Sequence, residues 1–410
     1  MKVLWILNSP LPEALSLLTG QSQTSKSTGS WACALADALV LNKDLQLFVA
    51  APSPQVWNPR MMKGKHVTHF ILPPDGNYWK WVWDQVRPDV THIHGTEYPL
   101  SLEFVKACGS RHVVVSLQGL VSEYRYYFMG GIPEGLIRQY ISPRDIIRRD
   151  SLLTQSDNMA RRGDIEVELL KSVQHVIGRT FWDKNVSTTI NPEVNYHFCN
   201  EALREPFYSG SWAYKACIPH RIFLSQGHNP IKGAHTLFEA LPAIIERYPD
   251  TSVHIAGPNI LRGDRVIDRL LRSGFGRYLN DLLHRNHLTD VVSFIGESDA
   301  DSIKKELLEA NLYALVSAIE NSPNSLCEAQ ILGVPCIASD VGGTSALIPD
   351  DSCGLLYPFG DKDALVTKIL SSFKKSESFD NARMRETASL RHNREQIRRD
   401  LMRIYDDVAN

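Results

Sequence analysis

The chain has 410 residues, of which 43% are hydrophobic, and its 44 basic and 46 acidic side chains give a formal net charge of -2. This length predicts two domains of similar size, and the near-neutral charge excludes a chain-wide attraction to nucleic acid or to a membrane. Seven scattered cysteines without C-x-x-C spacing exclude a disulfide framework and a zinc site of that kind, and no apolar run approaches the length of a membrane span.

Short apolar runs alternate with amphipathic helical segments over the first half of the chain. The predicted strands are residues 3–7, 46–50, 67–72, 90–94, 112–117 and 175–177. The predicted helices are residues 30–41, 79–86, 100–108 and 165–172. Because strands and helices alternate, we expect an α/β domain with a parallel, doubly wound sheet.

The first predicted strand is followed by a polar loop over residues 8–28. Gly29 lies in a Thr-Gly-Ser-Trp turn at the start of the next helix, and a glycine there lets a ligand approach the backbone closely. A plain helix N-cap explains the same turn equally well. The apolar run before Asn8 is too short for a signal peptide, so we expect a cytoplasmic protein.

Polar residues stand directly after two of the predicted strands. His94 and Glu97 follow the strand at 90–94, and Gln118 and Gly119 follow the strand at 112–117. Ligands of doubly wound sheets bind beyond the carboxyl ends of the strands, so we predict that these four residues contact a ligand. The alternatives are a histidine satisfied within its own loop and a glutamate that serves as a helix-start charge.

Residues 121–163 interrupt the alternation with aromatic side chains, apolar side chains and arginines at helical spacing. Arginines such as Arg138, interleaved with tyrosines, could meet an anionic membrane face or a lipid diphosphate. The alternative is an amphipathic helical cap whose arginines pair with Glu123, Glu134, Asp145 and Asp150. Peripheral contact with the inner membrane face through this segment therefore stays open.

The second half repeats the alternation after an irregular stretch, so we place the domain boundary near residue 210. The predicted domains are residues 1–209, 210–390 and a C-terminal helix at 391–410. The predicted strands are residues 221–225, 252–256, which ends at Gly257, 291–295 and 312–316. The predicted helices are residues 234–248, 274–286, 302–310 and 391–408. Asp299 and Asp301 resemble a D-x-D metal pair, but they precede a helix and are predicted to cap it.

The stretch from Glu320 to Glu328 combines a strand end, a tight turn and a helix start. Asn321, Ser322 and Pro323 are typical capping and first-turn residues, and the helix is predicted to run to Leu332 and stop at Gly333. The amides of Asn324 and Ser325 would point out of the helix start, where an anion or a sugar hydroxyl can dock. With a carboxylate on each side, this arrangement suits a nucleotide sugar.

These residues carry a resemblance to a known family. Glu320-x7-Glu328 is followed by Gly333-Val334-Pro335, Asp340-Val341-Gly342-Gly343 and Gly354-Leu355-Leu356, and is preceded by Pro230-Ile231-Lys232-Gly233. In this order and spacing the set resembles family 4 of the retaining glycosyltransferases with the GT-B fold. The resemblance covers most of residues 218–370.

The resemblance implies two Rossmann-like domains that face a cleft, with the acceptor bound by the first and a nucleotide-sugar donor by the second. It implies that Lys232 neutralises the diphosphate, that Glu328 binds the ribose and that Glu320 binds sugar hydroxyls. The implied donor-binding residues are Gly29, Lys232, Gly257, Ser322, Asn324, Ser325, Leu326 and Glu328. The predicted acceptor-binding residues are His94, Glu97, Gln118, Gly119 and Arg138.

The implied activity is a retaining sugar transfer to a glycan or lipid-linked acceptor in bacterial surface polysaccharide synthesis. The final helix of the resembled fold crosses back to pack on the first domain. No cofactor and no metal are expected, and the nucleotide sugar is a substrate. Without a convincing side-chain nucleophile, same-face attack is favoured over double displacement.

Three departures from the family pattern leave an alternative open. Gln118 stands where the family usually has a histidine, Ser225-Gln226-Gly227 lacks the usual arginine, and Thr344 follows the Gly-Gly pair in place of a glutamate. A nucleotide-sugar-binding GT-B protein without turnover is therefore the alternative. We predict that Arg179, at the end of the strand 175–177, supplies the missing cation and is catalytic with Lys232 and Glu320, unless it pairs with Asp183 or binds the acceptor.

Overall fold

The computed structural model describes residues 1–20, 30–40, 42, 44–261, 268 and 270–410, with the side chains of residues 30 and 31 excepted. The chain divides into two compact units. The first unit comprises Met1–Ser122, Arg161–Glu205 and Arg391–Asn410. The second unit comprises Glu123–Ala160 and Pro206–Leu390.

The first unit is built on an eight-stranded sheet. Its strands are β1 (Lys2–Ile6), β2 (Gln46–Pro52), β3 (Arg60–Lys63), β4 (Val67–Leu72), β5 (Val90–His94), β6 (Val113–Ser116), β7 (His175–Gly178) and β8 (Asn195–Phe198). Their order is β3-β4-β2-β1-β5-β6-β7-β8, and every pair is parallel except β3 with β4. The chain reverses its direction of winding between β1 and β5, which makes the sheet doubly wound as predicted.

Helices cover both faces of this sheet because successive side chains of a buried strand point to opposite sides. Val3 and Trp5 of β1 join one apolar cluster, while Leu4 and Ile6 join another. The helices of the first unit outside the segment 121–172 are α1 (Pro12–Thr19), α2 (Ser30–Leu39), α3 (Trp79–Val86), α4 (Pro99–Cys108), Phe181–Ile190 and Arg394–Ala409.

The final helix, Arg394–Ala409, is fixed to the first sheet by a buried polar chain. Trp5 Nε1 donates to the Tyr405 hydroxyl at 2.8 Å, and that hydroxyl is hydrogen-bonded to His92 Nδ1 at 2.7 Å. The other ring nitrogen, His92 Nε2, is hydrogen-bonded to Ser116 Oγ at 2.6 Å. Burial lowers the pKa of His92 to about 3, which keeps the ring neutral in this chain.

The second unit contains a six-stranded sheet in which all pairs are parallel. Its strands are β9 (Arg221–Leu224), β10 (Ser252–Ala256), β11 (Val292–Gly296), β12 (Leu312–Leu315), β13 (Cys336–Ser339) and β14 (Leu355–Tyr357), in the order β11-β10-β9-β12-β13-β14. Its helices after residue 206 include Ala234–Arg247, Gly274–Arg285, Ala300–Glu309, Asn324–Leu332, Thr344–Leu347, Lys362–Lys375 and Ala382–Arg391. The winding reverses between β9 and β12, so the second half also forms a doubly wound sheet.

Residues 123–160, which the sequence analysis assigned to the first domain, group with the second unit. The interrupting segment 121–172 forms four helices, Val121–Tyr124, Glu134–Gln139, Pro143–Arg148 and Leu152–Ser172. Ile132 and Ile137 are buried in the same apolar cluster as Phe275 and Tyr278. The correction follows from this packing, which sequence order along the chain cannot reveal.

Several elements of the structure are absent from the sequence prediction. Helix α1 occupies part of the loop predicted as polar, with a proline in its first turn and Gly20 in the left-handed region at its end. Phe181–Ile190 is a helix with a capping box between Thr180 and Asp183. The edge strands β3 and β8 have no buried side chain, so their sequences lack the apolar alternation that marks a half-buried strand.

Candidate functional site

The candidate site of the second unit lies where the winding of its sheet reverses. Strands β9 and β12 are neighbours, and the segments that follow them emerge at the carboxyl edge, where such sheets bind ligands. The segment after β9 contains a short 3-10 turn, Pro230–Lys232. The segment after β12 contains Glu320 and leads to the helix Asn324–Leu332. The motif residues from distant parts of the sequence therefore meet at one edge.

Gly233 allows these two segments to touch. Its φ of +71° lies in the left-handed region, and a Cβ on it would be 1.8 Å from the Val316 carbonyl oxygen. The amide of Ala318 donates to the Ile231 carbonyl at 2.8 Å, which joins the same two segments. A side chain at position 233 cannot be accommodated without separating them, and this explains the glycine of the Pro-Ile-Lys-Gly turn.

The side chains of Lys232 and Glu320 form an ion pair across this contact. Lys232 Nζ is 2.5 Å from Glu320 Oε1, and the Ser317 hydroxyl donates to the same oxygen at 2.7 Å. The carboxylate side chain is 7% exposed and the lysine side chain 26%, so the lysine is the more accessible partner of the pair. Within the described part of the chain, Glu320 Oε2 accepts no hydrogen bond.

The Gly342-Gly343 pair holds the backbone of Glu320. The amide of Gly343 donates to the Glu320 carbonyl at 2.9 Å. A Cβ on Gly342, whose φ is +54°, would be 2.1 Å from that same carbonyl oxygen. The two glycines therefore fix the carboxylate in place through its main chain, although they contribute no side chain of their own.

The helix Asn324–Leu332 begins just after Pro323, which was predicted in its first turn, and it ends as predicted at Gly333, whose φ of +82° is left-handed. Pro323 is the N-cap residue and makes no side-chain capping bond, so the prediction of Asn321 or Ser322 as the N-cap residue is wrong. The predicted donor residues Ser322, Leu326 and Glu328 are buried, at 7%, 0% and 3% exposure.

Ser325, in the first turn of this helix, is hydrogen-bonded to Tyr313 of β12. The Tyr313 hydroxyl donates to Ser325 Oγ at 2.8 Å and lies 3.3 Å from Ser225 Oγ. Burial raises the pKa of Tyr313 above its ordinary value, so it stays a neutral hydroxyl. Tyr313 thus links the segments after β9 and β12. Sequence reasoning did not assign this role because Tyr313 lies within an apolar run that predicts only a buried strand.

Gly257 directly follows β10, the neighbour of β9, and its amide donates to the Gly296 carbonyl at 2.9 Å. A Cβ on Gly257 would be 3.5 Å from His228 Nδ1, so the histidine faces this position closely. Within the described residues, His228 Nδ1 is buried without a hydrogen-bond partner. Burial, followed by the charge of Lys232, lowers the pKa of His228. His228 is a polar group of the site that the motif alone did not reveal.

In the first unit, Arg179 forms a buried ion pair with Glu201. The Arg179 guanidinium nitrogen Nη1 is 2.8 Å from Glu201 Oε2, and both side chains are at most 11% exposed. Gln118 Nε2 donates to the other oxygen of Glu201. Asp183 accepts from the backbone amide of Arg179 at 2.9 Å. The arginine side chain instead pairs with Glu201, a residue that sequence reasoning missed.

His94 and Glu97 lie at the carboxyl end of β5, near this cluster. His94 is buried and contacts Trp5 edge-on with 4.5 Å between ring centres, and burial lowers its pKa well below the ordinary value. Burial raises the pKa of Glu97 to about 7, and its Oε2 is buried without a partner in the described residues. Gly119 joins the group because its carbonyl accepts from the Thr96 hydroxyl at 3.3 Å.

Comparison with known proteins connects this geometry to a family. Residues 220–390 match the family model described as "Glycosyl transferases group 1". Residues 220–390 form a group 1 glycosyltransferase domain. That domain contains Lys232, Glu320, Glu328 and the glycines that position them, so the glycosyltransferase resemblance seen in the sequence is confirmed for these residues.

Curated relatives match only part of the chain. A phosphatidyl-myo-inositol mannosyltransferase of Mycobacterium leprae is 27% identical over 194 residues, which is 46% of this chain and 46% of that protein. A D-inositol 3-phosphate glycosyltransferase of Corynebacterium urealyticum is 28% identical over 33% of this chain and 30% of its own length. An N-acetyl-alpha-D-glucosaminyl L-malate synthase of Bacillus anthracis is 31% identical over 31% of this chain and 33% of that protein. The matches span less than half of each relative.

Solved structures resemble the whole chain. Sucrose-phosphate synthase from Thermosynechococcus elongatus superposes with a TM-score of 0.71 at 16% identity, covering 99% of this chain and 98% of that one. Anabaena Alr3699/HepE in complex with UDP and glucose gives 0.67 at 14% identity, with 99% of both chains covered. At this identity the likeness concerns the fold, and it confirms the predicted GT-B fold.

Two of the predicted binding residues, Arg138 and Gly29, lie outside the motifs of the group 1 domain. Arg138, predicted with the acceptor residues, lies in the second unit and pairs with Glu134 at 3.0 Å, whereas the other four lie in the first unit. The alternative of arginines paired within the segment is thus found here. Gly29 lies outside the described residues.

Asp299 accepts from the Ser302 amide at 2.9 Å, so its predicted capping role is confirmed. Across the described residues, no group of three or more histidine, cysteine, aspartate or glutamate side chains is arranged to hold a metal ion. No helix in the described part of the chain is both long and apolar enough to cross a membrane.

Proposed function

We propose that this protein is a retaining, metal-independent glycosyltransferase that moves a sugar from a nucleotide diphosphate to a glycan or lipid-linked acceptor in bacterial surface polysaccharide synthesis. The group 1 family match supports the transfer reaction, and the names of the relatives describe mannosyl and other glycosyl transfers. A nucleotide-sugar donor is supported by the Anabaena Alr3699/HepE complex with UDP-glucose, which shares this fold.

The ion pair of Lys232 and Glu320 at the carboxyl edge is the observation that carries the proposal. A lysine ammonium has three donors, and Glu320 Oε1 engages one of them. The lysine side chain is 26% exposed, so its remaining donors are available to the oxygens of a diphosphate. An isolated ammonium in a wall would move with its flexible stem, but the ion pair orients it before the donor arrives.

Glu320 has a second task in this proposal. Lys232 and Ser317 both donate to Oε1, so Oε2 can accept a hydroxyl of the transferred sugar. Glu328, which is 3% exposed in the following helix, would accept hydrogen bonds from the ribose hydroxyls. The first-turn amides at 324 and 325 would bind the sugar or phosphate. Leu326 is fully buried, so it can contribute only its main chain.

The proposed reaction breaks the bond between the sugar C1 and the phosphate oxygen. Negative charge develops on that oxygen, and Lys232 stabilises it at the moment of bond cleavage. The acceptor hydroxyl attacks C1 from the same face, and its proton passes to the departing phosphate. This route conserves the anomeric configuration and needs no side-chain nucleophile.

Arg179 is our candidate for the second cation, in place of the arginine absent from the turn before Lys232. Its ion pair with Glu201 and the contact of Gln118 with Glu201 hold the guanidinium rigidly. Because Glu201 already balances its charge, Arg179 would act through directed N–H donors more than through net charge. The neighbouring acceptor candidates are His94, Glu97, Gln118 and Gly119.

Exposed side chains of the segment 121–163 support contact with an anionic membrane face. In the helix Pro143–Arg148, Ile146 and Ile147 are 69% and 82% exposed, and Arg148 and Arg149 beside them are also exposed. Apolar side chains flanked by arginines suit an interfacial segment. We therefore propose that the protein acts in the cytoplasm at the inner membrane face, where a lipid-linked acceptor would be found.

The first experiment identifies the donor. Thermal-shift measurements with uridine, guanosine and adenosine diphosphates and their sugar conjugates should single out one base, since ligand at about a hundred times its Kd stabilises by ~2.7 kcal/mol. Transfer from that donor is then followed by mass spectrometry with and without EDTA. Loss of transfer in EDTA would contradict the metal-independent part, and the absence of any stabilising nucleotide would contradict the whole proposal.

A further inference from the structure

The second unit contains a cavity of about 300 Å³ that none of the predicted site residues lines. Its walls come from the segment around Gly130 and Gly131, the first turn of the helix Ala234–Arg247, and the residues that follow β14. Its volume is at the lower end of the range of small-molecule sites. The cavity therefore has room for one compact ligand.

Two buried polar atoms of its lining residues, His235 Nδ1 and the Tyr357 hydroxyl, have no hydrogen-bond partner among the described residues. His235 is 3% exposed, and its Nε2 lies 2.8 Å from the Gly130 carbonyl. A carbonyl only accepts, so Nε2 carries the proton and Nδ1 is left with a free lone pair. Within the residues that the structure describes, nothing donates to Nδ1. Burial lowers the pKa of His235 to about 4, so the ring stays neutral near pH 7.

The rest of the cavity wall combines aromatic side chains with polar groups. Phe359 and Tyr278 present aromatic surface, and the Tyr357 and Thr236 hydroxyls and the exposed Glu239 carboxylate provide polar atoms. Asp361 and Lys362, of opposite charge, also line the cavity. The neutral histidine acceptor and the Glu239 carboxylate favour a ligand with several hydroxyl donors. A sugar ring has both the hydroxyls and an apolar face that packs on aromatic side chains.

The cavity is joined to the Lys232 turn through the backbone. A Cβ on Gly130 would be 2.2 Å from the Pro230 carbonyl oxygen and 2.8 Å from His235 Cε1, so the glycine is seated directly on that turn. His235 follows Lys232 by three residues, which places the two within about 11 Å along the chain. A ligand in the cavity thus lies near the residues that would hold the donor.

From these observations we propose that this cavity binds a neutral sugar ring of the acceptor, with His235 Nδ1 accepting from a hydroxyl and Phe359 packing on the ring. The assignment to the acceptor rests on the proposed glycosyltransferase function. The assignment to a saccharide rests on the cavity alone. The two parts can therefore fail separately.

The test uses saturation-transfer NMR with methyl glycosides of glucose, galactose, mannose and N-acetylglucosamine at millimolar concentrations on the full-length protein. At least one glycoside should bind, and Phe359→Ala should weaken it about tenfold or more, the effect of losing roughly 1.4 kcal/mol. Phe379→Ala is the matched control, since Phe379 is a partly exposed phenylalanine of the same unit that contacts Trp212. His235→Phe, checked for an unchanged melting temperature, removes the acceptor atom.

The outcomes separate the two claims. Glycoside binding that Phe359→Ala and His235→Phe leave unchanged, or no binding of any glycoside to the wild type, overturns the sugar site. Calorimetry with uridine and guanosine diphosphates on the same samples reports the Lys232 site independently, and Phe359→Ala should not alter it. Glycoside binding without nucleotide binding would sustain the saccharide site and contradict the proposed donor.

Discussion

Replacing Gly233 by alanine should separate the two segments that form the candidate donor site. The residue has φ +71° and ψ 14°, a left-handed conformation that costs a non-glycine residue ~1–2 kcal/mol. The new Cβ would also lie 1.8 Å from the Val316 carbonyl oxygen, where real Cβ atoms stay beyond 3.0 Å. The turn must therefore retreat by at least about 1.2 Å, and such overpacking costs a further ~1–3 kcal/mol.

This retreat should affect activity more than stability. It stretches the 2.8 Å hydrogen bond from Ala318 to Ile231 and carries Lys232 away from Glu320. A misplacement of about 1 Å in a positioned group can lower turnover ~100-fold. We therefore expect Gly233→Ala to retain a cooperative melt at a lower temperature and to lose about two orders of magnitude in sugar transfer.

Gly20 provides a matched control because its φ of 70° and ψ of 8° nearly equal those of Gly233, while a Cβ there meets nothing within 4 Å. Gly20→Ala should show the backbone strain in its melting temperature without the loss of transfer. The melts are measured by differential scanning calorimetry and the transfer rates by mass spectrometry. If the two variants behave alike, the clash with Val316 does not control the site.

Other predictions concern the first unit. Arg179→Ala should destabilise by ~3–5 kcal/mol because it removes the guanidinium that pairs with the buried Glu201 carboxylate. Adding Glu201→Gln should restore part of this, and equal denaturation midpoints for the single and double variants would contradict the ion pair. Glu97 keeps its proton up to about pH 7 when folded, so stability should fall as pH rises from about 4.5 to 7. Glu97→Gln should therefore gain up to ~3 kcal/mol over wild type at pH 8 compared with pH 5, and a pH-independent difference in melting temperature would refute this. Tyr405→Phe should cost ~1–3 kcal/mol in urea unfolding, since Trp5 Nε1 and His92 Nδ1 lose their buried partner; an unchanged midpoint would show that the polar chain does not fix the final helix.

The sheets could be predicted from the sequence because buried parallel strands have compact apolar runs. The run at 90–94 becomes β5, with all five side chains buried. The Glu320–Glu328 turn was also predictable, since a proline and a following Gly333 mark the ends of a helix locally. Such signals involve neighbours in sequence, which a single chain displays directly.

Contacts between distant residues were not predictable in the same way. Nothing in the sequence joins Arg179 to Glu201 or Tyr313 to Ser325, since each pair depends on which strands become neighbours. The grouping of residues 123–160 with the second unit arises from packing of Ile137 against the core there. Arg138 shows the same limit, because its helical spacing to Glu134 allowed pairing as readily as acceptor binding.

The measurement that tests the central claim most directly is a calorimetric titration of wild-type protein and Lys232→Ala with uridine, guanosine and adenosine diphosphates. We predict that one nucleotide binds the wild type and binds the variant ~10–100-fold more weakly, the effect of losing a hydrogen bond to a charged group. Lys305→Ala, which removes an exposed lysine of the same unit that pairs with Glu309, should bind that nucleotide as the wild type does. Equal affinities for wild type and Lys232→Ala, or no binding of any nucleotide diphosphate, would contradict the assignment of the donor site.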